Sequence, residues 1–270
     1  MKSNRFKFSL ICFGVCFFLF GLHIASGYAD EFKGAGSKEG PGDPAVSEFA
    51  ESDDFEAFDE FNEFEDTQST GIYDPLSGYN RFMTGFNDHF YVLLLRPVAK
   101  GYRFIVIKPV RQAIDRAFTN AVYPIRFVNN LLQLKVKRAG VETARFCVNT
   151  TMGLAGLFDP AQNCMGMDAY PEDFGQTLGH YGAGSGFPIV LPFAGPSNLR
   201  DLLGYAPDMY LQPMTYVRDV KVSFAVGVMD HFNALSLYLD EYDAMREDAI
   251  DLYIFQRDVY EMRREKMIEE

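Results

Sequence analysis

The chain has 270 residues, of which 37 are acidic and 25 are basic, and its formal net charge is −12. This balance argues against a nucleic-acid-binding protein, because such proteins place many cations against the phosphate backbone. Hydrophobic residues make up 48% of the chain and aromatic residues 15%. This composition is sufficient for one sizeable domain with its own core.

The N-terminus has the layout of a signal peptide. An apolar run extends from Phe8 to about Ile24, and small residues suitable for cleavage follow between Gly27 and Ala29. The run is preceded by three cations, Lys2, Arg5 and Lys7. We predict that residues 1–29 form a signal peptide and that the protein is exported. The alternative is that the run stays in place as a membrane anchor.

The four cysteines divide into two pairs with different meanings. Cys12 and Cys16 lie inside the leader, and neither position fits a lipoprotein acylation site, so a lipoprotein anchor is doubtful. Cys147 and Cys164 belong to the mature chain, and in an oxidising periplasm they could form a disulfide. The alternative is two buried free thiols. No histidine pair stands nearby, so we predict no metal site.

Residues 30–70 are predicted to be a disordered acidic linker. Between positions 30 and 66 there are 14 acidic residues against Lys33 and Lys38. Four phenylalanines recur at every third position, Phe55, Phe58, Phe61 and Phe64. That spacing fits neither a helical stripe nor one face of a strand for long. The segment is either a solvated spacer or a motif that folds onto a partner.

Helix signals with frequent proline breaks begin after Tyr73. The acidic residue and proline of Asp74-Pro75 favour a helix start, and we expect that helix to run to about Leu95 and to stop before Pro97. Because proline disfavours helix at the residue before it, further short helices are expected to begin at Pro97, Pro109 and Pro124.

The remainder of residues 71–270 also reads as mainly α. A helix is expected from about Val136 to Met152, and two more close the chain, from about 217 to 239 and from about 245 to 267. Between Asp159 and Pro213 the chain is rich in glycine and proline. We predict irregular structure there, with no helix within residues 175–195 and one short helix at about 198–203.

Several sequence words resemble those of the MlaA/VacJ family. They include DPLSGYNR at 74–81, Phe86-Asn87, RPVA at 96–99 and the long stretch EDFGQTLGHYGAGSGFPIVLPFAGPSNLRD at 172–201. The resemblance implies a ring-like bundle of short amphipathic helices that lies in the inner leaflet of the outer membrane. It also implies that a central channel removes mislocalised phospholipid from the outer leaflet, so that lipid asymmetry is maintained.

The same resemblance implies partners and candidate site residues. The expected partners are phospholipids, a trimeric porin and a periplasmic lipid carrier, and no cofactor is expected. We expect the first helical hairpin and the glycine-rich segment 175–195 to border a polar channel, with glycines allowing close turns and movement. The candidate channel or gating residues are Asn80, Arg81, Phe86, Asn87, Arg96, Gly175, Thr177, Gly179, Gly182 and Arg200.

We predict that the protein is not an enzyme. The glycine-rich run 179–186 matches neither the GxGxxG dinucleotide motif nor the GxSxG nucleophile motif, and His180 is expected to be structural. Two alternatives to a membrane channel remain open. One is a soluble periplasmic lipid carrier, and the other is an envelope hydrolase that uses His180 and Ser185.

Overall fold

The computed structural model describes residues 72–270. The predicted signal peptide, residues 1–29, and the predicted acidic linker, residues 30–70, lie outside the described residues. Within the described part the chain is mainly α-helical, as the sequence predicts.

The first helical run continues past the position where the sequence predicts a break. Helix α1 spans Ser77–Phe90, a wider π-helical turn spans Tyr91–Leu95, and α2 spans Arg96–Ile105. The prediction that the helix stops before Pro97 is wrong. The Arg96 N–H donates to the carbonyl of Tyr91, five residues earlier, as in a π-helix. The α-helix then starts again at Arg96, so Pro97 lies in a first turn, where a proline is tolerated.

Three helices then follow, and the first two have the predicted proline starts. Helix α3 spans Lys108–Ala121, α4 spans Tyr123–Leu132 and α5 spans Val136–Thr151. Proline occupies the first turn of α3 and of α4, where its missing N–H has no helical partner to lose. The predicted bounds of α5 are confirmed to within a residue.

The region from 159 to 213 is more regular than its glycine and proline content indicates. It contains α6 (Pro160–Met165), α7 (Phe174–His180), the strands β1 (Pro188–Leu191) and β2 (Gly195–Asn198), and α8 (Leu199–Leu211). The expectation of no helix within 175–195 is therefore wrong. The strands pair antiparallel, with Pro188 opposite Asn198 and Leu191 opposite Gly195.

Side-chain caps explain why helices form in this region. The Asp173 carboxylate accepts the Gln176 N–H at the start of α7, and the Asn198 side chain accepts the Asp201 N–H at the start of α8. Such caps satisfy backbone donors that a helix start leaves unpaired. Helix α8 runs well beyond the predicted 198–203 and includes Pro207.

The C-terminal part has one helix more than the sequence predicts. A 3₁₀ turn at Pro213–Tyr216 leads to α9 (Val220–Leu237), and α10 (Leu239–Asp248) and α11 (Leu252–Glu269) follow. Within residues 72–270 no single helix has the length and apolar composition to cross a bilayer. Helices α9 and α10 satisfy that test only together, as a pair bent by 66°.

The helices pack in a cycle. Helix α1 leads through the π turn to α2, α2 packs on α9, and α9 packs on α3; the cycle then continues through α4, α7 and α11 and returns to α1. This arrangement confirms the predicted ring-like bundle. One apolar cluster, Tyr91, Ala99 and Leu239, fixes α2 and the π turn against the start of α10.

Large apolar side chains are prominent on the outside of the ring. At the corner between α2 and α3, Phe104 is 91% exposed and Ile105 is 79% exposed. Ile107 follows them, and the cations Lys100 and Lys108 flank the three. Contiguous exposed apolar residues of this kind mark an interaction surface rather than an ordinary solvated surface.

Candidate functional site

A cavity of about 390 Å³ lies between the first helical run, the β-hairpin and the three C-terminal helices. Its wall is largely aromatic and aliphatic, with a few charged groups. It includes Phe90, Tyr91 and Leu95 from the first run, residues 193–196 from the hairpin, and Ala234, Leu235, Tyr238, Tyr242, Met245, Leu252, Phe255 and Val259 from α9 to α11. The charged lining residues are Asp88, Glu241, Arg246 and Arg263. This wall is more apolar than the polar channel that the sequence predicts.

Two candidate asparagines of α1 hold the hairpin in place. The Asn80 amide nitrogen donates to the Pro188 carbonyl at 3.0 Å, and its oxygen accepts the Val190 N–H at 2.8 Å. Asn87 repeats the pattern one step along the hairpin, donating to the Leu191 carbonyl at 2.9 Å and accepting the Phe193 N–H at 2.8 Å. Each side chain therefore pairs with the hairpin as a neighbouring strand would.

Asn87 also fixes a strained residue at the cavity wall. Phe193 has a φ of +66°, a left-handed conformation that is uncommon for a residue with a side chain. Its ring packs edge-on against Phe86, with centroids 5.3 Å apart, and against Phe90 at 4.8 Å. Phe86 thus supports the wall from behind while Asn87 lines the cavity. Strain held by surrounding contacts is typical of functional sites.

Three ion pairs attach α10 to the first helical run, and the most exposed of them joins Arg103 to Asp240 at 2.7 Å. Arg246 donates twice to Asp88, with 3.0 Å between Nη2 and Oδ2, and both side chains line the cavity. Arg96 pairs with Asp243 at 2.8 Å, and the Tyr91 hydroxyl donates to the same carboxylate at 2.7 Å. Burial, together with the Asp243 carboxylate, raises the pKa of Tyr91 well above its usual range. Arg96 itself lies outside the cavity lining.

Arg81 has a different environment from the other candidates on α1. Its Nη1 lies 2.5 Å from Asp251 Oδ2 at the start of α11, and its guanidinium lies over the Tyr253 ring. The side chain is half exposed and does not line the cavity. Arg81 therefore links the two ends of the described chain.

Gly175 and Gly179 lie in a closely packed crossing of helices. A Cβ at Gly175 would lie 2.3 Å from Asp201 Oδ1, and one at Gly179 would lie 2.4 Å from Ile268 Cδ1. A Cβ on Gly204 of α8 would lie 2.5 Å from the Gly175 nitrogen. Gly175 and Gly179 therefore allow α7, α8 and α11 to meet, and their place at the border of a channel stays a prediction. Gly182 has a φ of +85°, a left-handed conformation that favours glycine.

The same crossing contains a buried network of charged groups. Arg264 donates to Asp173 at 2.6 Å and to Asp201 at 2.9 Å, and Arg200 also donates to Asp201, at 3.0 Å. Although burial acts in the opposite direction, Arg264 holds the pKa of Asp173 well below its usual range. Thr177, also buried, donates to Asn129 at 3.0 Å. Arg200 and Thr177 are therefore parts of the scaffold.

The predicted disulfide is not formed. Cys147 and Cys164 are both free and both exposed, so the alternative of two buried thiols is also wrong. Arg145 and Asn149 are the residues of α5 that contact α6 and its capping Asp159. Because two residues correspond to about 200° around a helix, Cys147 lies on the opposite side of α5 from α6 and Cys164.

The two residues of the hydrolase alternative each have a different partner. The His180 ring packs edge-on against Tyr181, while the Ser185 hydroxyl is hydrogen-bonded to Glu261. Within residues 72–270, no group of three or more His, Cys, Asp or Glu side chains is placed to hold a metal ion.

Sequence reasoning missed several residues of the cavity. Phe193, Asp88, Arg246 and Tyr242 all line it, and they come from the hairpin turn, from α1 and, for the last two, from α10. Phe193 lies in the matched stretch at 172–201, so its place between Pro192 and Gly195 was a usable turn signal. Asp88 and Arg246 are 158 residues apart, and nothing in their local sequence indicates that they meet.

Comparisons with known proteins agree with this architecture. The model of a family described as MlaA lipoprotein matches residues 72–267. The intermembrane phospholipid transport system lipoprotein MlaA of Escherichia coli (strain K12) is 34% identical over 202 residues, which cover 73% of this chain and 79% of that protein. The protein of the same name from Haemophilus influenzae is 33% identical over 196 residues, covering 69% of this chain and 76% of that one.

A solved structure matches the fold as well. It is described as "Structural basis for maintenance of bacterial outer membrane lipid asymmetry", and it superposes with a TM-score of 0.64 at 33% identity. The match covers 73% of this chain and 99% of the other. The family model, the sequence identity to the relatives and the similarity of fold all agree, and the chain belongs to the MlaA family.

Proposed function

We propose that this chain transports phospholipid between membranes, removing mislocalised phospholipid from the outer leaflet of the outer membrane to maintain lipid asymmetry. The observation that carries the proposal is the cavity between the first helical run, the β-hairpin and the C-terminal helices, which has a largely apolar wall and a few charged groups. A phospholipid has the same division into an apolar and a charged part. The relatives of this chain are named as components of a phospholipid transport system. Their names support a role in phospholipid transport and do not suggest an enzyme.

The size of the cavity bears on the mechanism. A volume of about 390 Å³ suits a headgroup with the upper part of its acyl chains rather than a whole lipid with two chains. We infer that the chains stay in the bilayer while the headgroup passes the aromatic wall. Transfer of this kind needs no covalent step, because the protein only lowers the barrier to moving a charged group through an apolar layer.

The outside of the ring supports a position at a membrane surface. Phe104, Ile105 and Ile107 would enter the lipid, and Lys100 and Lys108 would meet phosphates at the interface. We place the protein on the periplasmic side of the outer membrane, where it would work beside a trimeric porin and pass lipid to a periplasmic carrier. The soluble-carrier alternative leaves this exposed corner without a role.

Filling the cavity tests the proposal. Ala234 is buried at the wall, and Ala234→Phe would occupy the space with a ring. In cells that lack their own copy of the gene, this variant should fail to restore resistance to detergent and chelator, and outer-leaflet phospholipid should stay high. The matched control is Ala139→Phe, which overpacks a buried alanine on α5 away from the cavity.

The two variants separate function from folding when protein levels are measured in parallel. We expect Ala139→Phe to transport lipid in proportion to the folded protein that remains, and Ala234→Phe to transport none at equal levels. Full complementation by Ala234→Phe at normal levels would contradict the proposal.

A further inference from the structure

Two of the three ion pairs that attach α10 to the first helical run are closely matched. Arg246–Asp88 has side-chain exposures of 31% and 17%, and Arg96–Asp243 has exposures of 32% and 16%. Both pairs join α10 to the run from α1 to α2. In each pair, two nitrogen atoms of the arginine contact the carboxylate of the aspartate. They differ because Asp88 and Arg246 line the cavity whereas Arg96 and Asp243 do not, and because Asp243 also accepts a hydrogen bond from the Tyr91 hydroxyl.

A clamp between helices does not need to face the cavity. The Arg96–Asp243 pair already fixes α10, and the buried Leu239 packs against Tyr91 and Ala99 in the same contact. Placing a second pair against an apolar wall adds a desolvation cost. Ligand cavities, however, are usually apolar with a few charged groups that orient the ligand. Asp88 and Arg246 fit that description.

The chemistry of the pair matches one class of headgroup. A guanidinium presents a planar fork of donors that suits phosphate oxygens, and a carboxylate accepts bonds from an ammonium group. A zwitterionic phospholipid such as phosphatidylethanolamine carries both groups side by side. Its phosphate would bind Arg246 and its ammonium group would bind Asp88. These two contacts would replace the ion pair between Arg246 and Asp88, so that neither side chain would lose a partner of opposite charge.

An anionic headgroup behaves differently. Phosphatidylglycerol offers a phosphate to Arg246 but no cation to Asp88, so the carboxylate would be left beside the apolar wall without compensation. Glu241 and Arg263 also line the cavity, and because their charges are opposite they leave the balance to Asp88 and Arg246. The cavity should therefore discriminate between headgroups by charge.

We propose that Asp88 and Arg246 form a headgroup subsite that selects zwitterionic over anionic phospholipid, with the phosphate on Arg246 and the ammonium on Asp88. The proposal rests on the proposed function, since it requires phospholipid to enter the cavity.

The test measures lipid uptake by the full chain from vesicles. The vesicles contain phosphatidylethanolamine, phosphatidylglycerol or diacylglycerol, each with the same fluorescent acyl chain, and the lipid that co-purifies with the protein is quantified. Wild type should prefer phosphatidylethanolamine to phosphatidylglycerol. Asp88→Asn removes the charge that an anionic lipid leaves unpaired, so it should shift the ratio toward phosphatidylglycerol by about tenfold.

The matched variants provide the controls. Arg246→Gln should reduce uptake of both phospholipids relative to diacylglycerol by about tenfold. Asp243→Asn and Arg96→Gln remove the twin pair outside the cavity and should leave both ratios unchanged. The expected increase in phosphatidylglycerol uptake by Asp88→Asn is informative, because a variant that is only destabilised would not take up more of one lipid.

Three results would overturn the proposal. Equal shifts in Asp88→Asn and Asp243→Asn would mean that the two pairs are only clamps. Displacement of bound lipid by inorganic phosphate as readily as by glycerophosphoethanolamine would mean that Arg246 binds any phosphate without reading the ammonium. No uptake of either phospholipid by wild type above that of diacylglycerol would remove the proposed function as well, and so is distinguishable from failure of the subsite alone.

Discussion

Asn80 and Asn87 show how single side chains can place a whole wall of the cavity. Each bonds a carbonyl and an N–H of the hairpin, and Asn80 is completely buried. An amide is the only side-chain group that provides a donor and an acceptor in the geometry of a peptide. Asn87 also holds the N–H of Phe193, the residue with the strained backbone.

Removing these amides should destabilise the protein in a defined order. Asn80→Ala leaves a buried carbonyl and a buried N–H without partners, so we expect the free energy of unfolding to fall by about 3 kcal/mol. Asn87→Ala breaks two bonds that are only partly buried, and the expected loss is about 1 to 2 kcal/mol. Urea unfolding followed by circular dichroism measures both. A larger loss for Asn87→Ala than for Asn80→Ala would contradict this ranking.

At the scale of elements, the crossing of α7, α8 and α11 depends on glycine. In Gly175→Ala the new Cβ would clash with Asp201 and Arg264, so the helices must separate or the buried charges must move. We expect a loss of about 3 kcal/mol in the free energy of unfolding. Gly85→Ala on α1 is the control, because its Cβ meets nothing within 4 Å and alanine favours helix. If both variants lose the same stability, the packing account of Gly175 is wrong.

The packing of α9 on α3 should make stability depend on pH. Burial, together with the neighbouring carboxylate of Asp115, raises the pKa of Asp230 to about 7. The folded state therefore binds more protons than the unfolded state between about pH 4 and pH 7, and this contribution to stability is lost as the pH rises to 7. Asp230→Asn should thus gain stability relative to wild type between pH 5 and pH 8.

Urea unfolding at both pH values measures that gain. Asp115→Asn removes the neighbouring charge that raises the pKa of Asp230. This variant should therefore also weaken the pH dependence of the free energy of unfolding. A difference between wild type and Asp230→Asn that stays constant from pH 5 to pH 8 would show that Asp230 does not titrate in this range.

Sequence patterns predicted the elements that depend on local signals. The proline starts of α3 and α4 and the bounds of α5 follow from caps and propensity. Helix α7 was missed because its glycines are read locally as breakers, whereas the Asp173 cap and the contacts with α8 and α11 stabilise it. The continuation of the helical run past Pro97 was missed because it depends on a π turn, which is decided by tertiary packing around Tyr91.

The candidate site was predictable only in part, for the same physical reason. Asn80, Phe86 and Asn87 support or line the cavity wall, while Gly175, Thr177, Gly179 and Arg200 form the scaffold of another part of the ring. A stretch of sequence that matches a family indicates which residues are important to that family. It does not show whether a given residue packs within the scaffold or contacts a ligand. The Asp88–Arg246 pair joins distant parts of the chain, which sequence periodicity does not detect.

At the scale of the whole molecule, residues 72–270 combine exposed apolar side chains with a largely apolar cavity, and polar groups are buried between the helices. Buried side chains include Asn129, Asn130, Glu142 and Asn233, which bond across or along the helices rather than face solvent. Such polar contacts specify which helices meet when apolar surfaces are needed elsewhere. The arrangement suits a protein that contacts lipid on both its outer and inner surfaces.

The central claim is that phospholipid enters the cavity. The most direct measurement uses a phospholipid with a photoreactive diazirine near its glycerol group, crosslinked to the full chain in vesicles and mapped by mass spectrometry of peptides. We predict adducts on peptides containing Phe193, Leu235 and Tyr242, and their loss in Ala234→Phe while adducts at the α2–α3 corner persist. Adducts confined to the outer surface in wild type would contradict the claim.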